Sequence, residues 1–173
     1  MRGELVLSPM KMLFAADLHY TLKQLDWLVA NAGRYDLVII GGDLLDLGSA
    51  LDFDVQIVVV EKYLHRIRRH APLLVSSGNH DGDSRSAADE PVAEWLLLSR
   101  SDGLYVDGES AVFGDLRVTS GTWSPSSILD GTGSLIRSRE FPTVPGSSSI
   151  VFRGQLTAIS AVYARHIPYV EWR

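Results

Sequence analysis

Pro72-Leu73-Leu74-Val75-Ser76-Ser77-Gly78-Asn79-His80-Asp81 is the stretch on which the reading of the fold turns. A short apolar run between turn formers reads as a buried strand. It breaks at Gly78, and the next three residues supply an amide oxygen, an imidazole and a carboxylate. Two earlier apolar runs end in the same way. Met12-Leu13-Phe14-Ala15-Ala16 leads into Asp17-Leu18-His19, and Asp36-Leu37-Val38-Ile39-Ile40 leads into Gly41-Gly42-Asp43-Leu44-Leu45-Asp46. Ligands of open α/β sheets bind beyond the carboxyl ends of the strands. Three strands ending in metal-type side chains therefore describe one site built from three pieces of sequence.

Between these strands the spacing is helical. Leu22, Leu25, Val29 and Ala32 share one face, with Thr21 as N-cap and Gly33 as C-terminal stop. Ile57, Val60, Leu64 and Ile67 recur likewise within Asp54 to His70; the β-branched run Val55–Val60 alone would suit a strand, but length and the charged tail favour helix. Pro91 suits a first helical position, opening a helix through Trp95 to Leu98. Ala111–Phe113 and Leu116–Thr119 read as two strands joined by a Gly114-Asp115 turn. The first half is thus a β-α-β-α-β-α series with a parallel sheet. Beyond about Thr122 the pattern weakens: Ser, Gly and Pro punctuate 124–149, and Gln155 to Ala164 forms at most one short helix. The expected organisation is a short leader over 1–9, a core over 10–122 and a loop-rich, divergent segment over 123–173.

A chain of 173 residues with 46% hydrophobic and 21% charged residues has the composition of a single globular domain. A net charge of −5 argues against a nucleic-acid backbone as the main partner. There is no cysteine, which removes disulfides, thiolate metal sites and cysteine nucleophiles and fits a reducing cytoplasm. No apolar run approaches the roughly 18 residues that span a bilayer, so no membrane partner is expected.

Carboxylate, imidazole and amide oxygen form a mixed N/O donor set suited to divalent Mn, Fe, Zn or Mg. Asp17 and His19 are two apart, so on an extended strand end they point the same way and grip one ion. Asp43 has two oxygens with which to bridge to a second ion, where Asn79 is the next ligand. Two ions about 3.5–4 Å apart clamp a phosphate and activate water. His80 is left for proton transfer or charge stabilisation, and Asp81 is placed to orient its imidazole.

Asp17-Leu18-His19, Gly42-Asp43-Leu44-Leu45-Asp46 and Gly78-Asn79-His80-Asp81 resemble, in order and spacing, the DxH, GDxxD and GNHD motifs of the calcineurin-like metallophosphoesterases. The resemblance covers roughly residues 10–120. It implies a β-sandwich of mixed sheets flanked by helices, an α/β fold, and a binuclear hydrolase acting on a phosphate-ester substrate. Asp17 and His19 would bind the first metal, Asp43 would bridge, Asn79 would bind the second, and His80 would assist the leaving group.

The family normally adds a strand-end histidine and a GHxH motif. Of five histidines here only His166 follows His80, and there is no GHxH. A domain incomplete at its C-terminal end, with a foreign tail after Thr122, is the corresponding expectation. Its functional counterpart is a catalytically impaired remnant that binds at most one metal. A Rossmann-like nucleotide module is disfavoured, because no GxGxxG follows the first strand. Asp46 either supports a ligand from behind or caps its loop. His65 and His70, among Arg66, Arg68 and Arg69, read as a solvated helix end, His166 as a solvated tail residue, and Trp27 and Trp95 as packing residues.

Overall fold

The computed structural model describes residues 10–113, 116–121, 148–153 and 170–171, the last two stretches by their backbone. The leader, the Gly114-Asp115 turn, the loop over 124–147, the Gln155–Ala164 helix and His166 lie outside the described residues.

The three apolar runs are strands: β1 (Met12–Ala15), β2 (Leu37–Gly41) and β3 (Leu73–Ser76). They pair in parallel and are joined on one edge by β6 (Leu104–Tyr105) and on the other by β10 (Val170–Glu171), giving the order β10-β1-β2-β3-β6. Parallel strands need covered crossovers, and α1 (Leu22–Asn31) and α2 (Phe53–Ile67) supply them.

Because side chains alternate along a strand, each strand feeds two cores. Leu13, Val38, Ile40, Leu73 and Val75 face the helices, meeting Leu25, Leu28, Val60, Leu64 and Ile67. Met12, Phe14, Leu37, Ile39 and Leu74 face the other way, onto Leu116 and Val118. These last two belong to a second sheet of β7 (Ser110–Phe113), β8 (Leu116–Gly121) and β9 (Ser148–Arg153), in which β7–β8 is antiparallel and β8–β9 parallel. The expected sandwich is present. Its second sheet is mixed, and its first is parallel throughout the described strands.

Some local expectations change. The first helix ends at Asn31, and Gly33 lies inside a following 3-10 turn over Ala32–Arg34. Leu22 and Trp27 are more than a third exposed, so neither is a core residue, whereas Trp95 is buried. Pro91 does not open a helix. Pro91-Val92 (β5) pairs with Ser84-Arg85 (β4), and the helix, α3 (Glu94–Leu98), begins at Glu94, whose N–H donates to Asp83 Oδ1 at 2.7 Å. A side chain ten residues upstream of α3's N-cap Ala93, out of reach of any local pattern, thus fixes where the helix starts. Among the described residues no helix is long and apolar enough to cross a membrane.

Candidate metal centre

The loops after β1 and β2 leave their strands in an unusual way. Asp17, His19 and Tyr20 have φ of 53°, 41° and 53°, and Asp43 has 54°. Left-handed backbone costs an L-residue roughly 1–2 kcal/mol, since Cβ crowds the following carbonyl. It persists where the surroundings over-determine it, which is common at functional sites. Here the two loops determine each other. Asp17 N–H donates to Gly42 O at 3.2 Å, His19 N–H to Asp43 O at 2.8 Å and Tyr20 N–H to Leu44 O at 2.8 Å. Asp17 and His19 are therefore brought together by left-handed turns, and not by the extended pleat their spacing suggested.

The third loop packs onto the second by backbone contact. A Cβ on Gly42, itself at φ 86°, would lie 2.7 Å from Gly78 N, and a Cβ on Gly78 would collide with the carboxylate and backbone nitrogen of Asp43. Glycine is required at both positions. Three N–H groups of this loop are taken by three carboxylates: Ser77 donates to Asp107 Oδ1 at 2.8 Å, Gly78 to Asp81 Oδ2 at 2.8 Å and His80 to Asp43 Oδ1 at 3.0 Å.

Asp17, His19 and Asp43 converge, with one donor atom from each lying within 4.8 Å of the others. Asp43 is buried and Asp17 exposed. Partial desolvation raises the Asp17 pKa, as do the hydrogen bond that its protonated carboxyl donates to Asp43 and the charge of Asp43, while His19 and His80 oppose the shift. Two carboxylates so close repel when both ionise, and a divalent cation between them removes that repulsion. The donor set and its geometry fit such an ion. The His80 ring stands edge-on to His19, centroids 4.6 Å apart, and its Nδ1 is buried with no hydrogen-bond partner among the described residues. Asn79 is bracketed by Gly78 and His80, both of which abut Asp43.

Asp81 does something other than orient His80. Its Oδ1 accepts from Leu44 N–H at 2.8 Å and Leu45 N–H at 3.0 Å, and its Oδ2 from Gly78 N–H. Fully buried, it is a clasp between the second and third loops. Burial pushes its pKa up to about 7, against the pull of those N–H donors. Trp95 Nε1–H donates to the Asp81 carbonyl at 2.8 Å and ties α3 to the same loop. Asp46 caps its loop: Oδ1 accepts from Gly48 N–H at 2.9 Å. The basic end of α2 lies at the opposite end of the sheet, with His65 Nδ1 accepting from Arg68 Nε at 3.2 Å.

Two contributors carry no sequence signal. Asp107 belongs to no motif, and Gln56 sits unremarked within α2. Yet Gln56 is buried, accepts from Asp46 N–H at 2.9 Å, and donates to the carbonyls of Asp46 and Leu51. Only the tertiary fold brings either to the site.

No curated protein matches this chain. The sequence model of the calcineurin-like phosphoesterases matches residues 10–162, well over half of its length and including all three loops. The convergence of the loops and the extent of that match lead to one conclusion: the chain belongs to the calcineurin-like phosphoesterase family.

Proposed function

We propose that this chain hydrolyses a phosphate ester with the help of two divalent cations. The observation that carries the reading is the convergence of Asp17, His19 and Asp43. Carboxylate and imidazole donors without thiolate suit Mn, Fe, Zn or Mg. Asp17 and His19 hold the first ion, Asp43 bridges, and Asn79 offers its amide oxygen to the second. Divalent ions held this way polarise a phosphoryl oxygen and lower the pKa of bound water.

The remaining work belongs to the protein. Asp43 is kept in place by its left-handed backbone and by the N–H of His80. The His80 imidazole, beside His19, is positioned to give a proton to the leaving oxygen or to stabilise charge developing on the phosphate. Asp81 acts on these groups indirectly, by holding the two loops together. A cytoplasmic setting belongs to the same reading and is supported by the cysteine-free sequence. A second reading, a catalytically impaired remnant with at most one ion, is favoured by one observation: three donors are available to the first ion, while among the described residues only Asp43 and Asn79 remain for the second.

The test is metal content per chain, by elemental analysis after purification with Mn²⁺, with Asp43→Ala as control. Hydrolysis of p-nitrophenyl phosphate and bis(p-nitrophenyl) phosphate is measured alongside. Near two ions, lost in the variant, with Mn²⁺-dependent hydrolysis is the expected result. At most one ion, without turnover, supports the remnant and overturns the two-ion reading, and metal-independent hydrolysis overturns both.

A further inference from the structure

We infer that Asp107 is a positioning residue for the second metal ligand, acting through the backbone of Ser77. The inference rests on the two-ion reading above. Asp107 lies between β6 and β7, outside every motif, and is a buried carboxylate. Its Oδ1 accepts the Ser77 N–H at 2.8 Å, and the Ser77 and Ser120 side chains lie close enough to favour its charged form. Ser120, on β8, is fully buried and donates its hydroxyl to Val75 O at 2.7 Å. Ser120 is itself fixed by backbone bonds, its N–H to Glu109 O at 2.9 Å and its O from Gly108 N–H at 3.0 Å. The second sheet therefore grips β3 at its last residues, immediately before Asn79.

The physical reason for a carboxylate here follows from the loop. Beyond Ser76 the third loop leaves the β3–β2 ladder, which ends at the Gly41–Ser76 pair, so the buried N–H of Ser77 needs another acceptor. Gly78 and His80 find theirs in Asp81 and Asp43, which belong to the motifs. Ser77 finds its acceptor in Asp107. Without Asp107 the loop is still tied to Asp43 and Asp81, and β3 to Ser120, but Ser77 loses its anchor in the β6–β7 connection, and Asn79 is only two residues from the released N–H. The first ion, held by Asp17 and His19 from another strand, does not depend on this anchor.

The experiment is Mn²⁺ binding to the full chain, followed by calorimetric titration and by electron paramagnetic resonance, which distinguishes an exchange-coupled ion pair from a single ion. In Asp107→Ala the second ion is expected to weaken about 10- to 100-fold, the effect typical of removing a group that orients a ligand. The coupled-pair spectrum gives way to that of one ion, as it also does in Asn79→Ala. Asp107→Asn, which retains an acceptor oxygen for the Ser77 N–H, restores the pair. Loss of both ions alike in Asp107→Ala, a coupled pair of unchanged affinity there, or equal loss in Asp107→Asn and Asp107→Ala overturns the inference while leaving the two-ion reading intact. A wild-type chain without a coupled pair overturns the two-ion reading itself. If Asp107→Ala does not melt cooperatively, Ser120→Ala takes its place: it removes the hydroxyl that ties β8 to Val75 O next to the Asp107 carboxylate. A several-fold loss at the second ion is then expected, and unchanged binding overturns the inference.

Discussion

The N–H of His80 donates to Oδ1 of Asp43 at 3.0 Å, although the two residues lie in different loops 37 positions apart. One carboxylate thus carries two tasks. It faces Asp17 and His19 in the candidate metal site and at the same time fixes the backbone from which the His80 imidazole projects. Asp43→Asn keeps an acceptor for that N–H but halves the negative charge of the Asp17–Asp43 pair. The variant is expected to melt within about 1 kcal/mol of the wild type without metal. Mn²⁺ is expected to raise the melting temperature of the wild type and to leave that of the variant unchanged.

Gly78 has no room for a side chain. A single methyl group there meets the Asp43 carboxylate and backbone, and neither is the far end of a flexible side chain. Gly78→Ala is expected to destabilise by about 1–3 kcal/mol, as overpacking does. The larger effect falls on metal binding, because Asp43 must move for the chain to fold at all. Urea unfolding and Mn²⁺ titration of the same sample test both. Wild-type values in each would show that the two loops are not in contact.

Sequence made the strands and the metal loops legible, because both rest on local rules. An apolar run that ends in Gly-Asn-His-Asp is a strand and a turn whatever surrounds it, and the alternation of Leu37, Val38, Ile39 and Ile40 needs only a sandwich to divide them between two cores. The role of Asp81 was not legible. Its neighbour His80 made it look like an orienting carboxylate, while its partners are the N–H groups of Leu44 and Leu45, more than 35 residues away. Asp17 and His19 do lie together, but through left-handed turns and not along an extended strand end, since φ above zero cannot be read from an aspartate or a histidine in a sequence. Pro91 misled for a related reason. A proline suits the start of a helix and a two-residue edge strand equally, and the pairing with Ser84-Arg85 decided between them.

Asp81→Ala removes the acceptor of three buried N–H groups at once. Each unsatisfied donor costs about 1–3 kcal/mol, so a loss of about 3 kcal/mol or more is expected. Asp81→Asn, with one carbonyl oxygen left, should lose less. Chemical denaturation of the three chains ranks them. A loss in Asp81→Ala no larger than that of an exposed aspartate would show that the clasp is not made.

Gln56 supports the loop that follows Asp43 and Leu44 from inside α2. Gln56→Leu keeps the bulk but strands the Asp46 N–H and the carbonyls of Asp46 and Leu51. Amide exchange of residues 46–51 is expected to rise at least tenfold relative to β2, matching the loss of about 1.4 kcal/mol or more in local stability. Uniform exchange across loop and strand in the variant would contradict this.

Asp107 gives the chain a pH dependence of definite sign. Burial raises its pKa in the folded state above the ordinary 3.8, although the Ser77 and Ser120 hydrogen bonds work against the shift. The folded state therefore binds more protons than the unfolded one in the window between 3.8 and the raised value. The stability this group contributes is complete below 3.8 and is lost as pH rises through the folded pKa. Asp107→Asn cannot ionise and lacks this loss. Stability measured for both chains by urea unfolding, without metal, should show the advantage of wild type over Asp107→Asn shrinking as pH rises above 3.8 and levelling off above the folded pKa. A difference that grows with pH would mean that the N–H and hydroxyl donors outweigh burial, and that Asp107 is ionised in the fold at lower pH than in the unfolded chain.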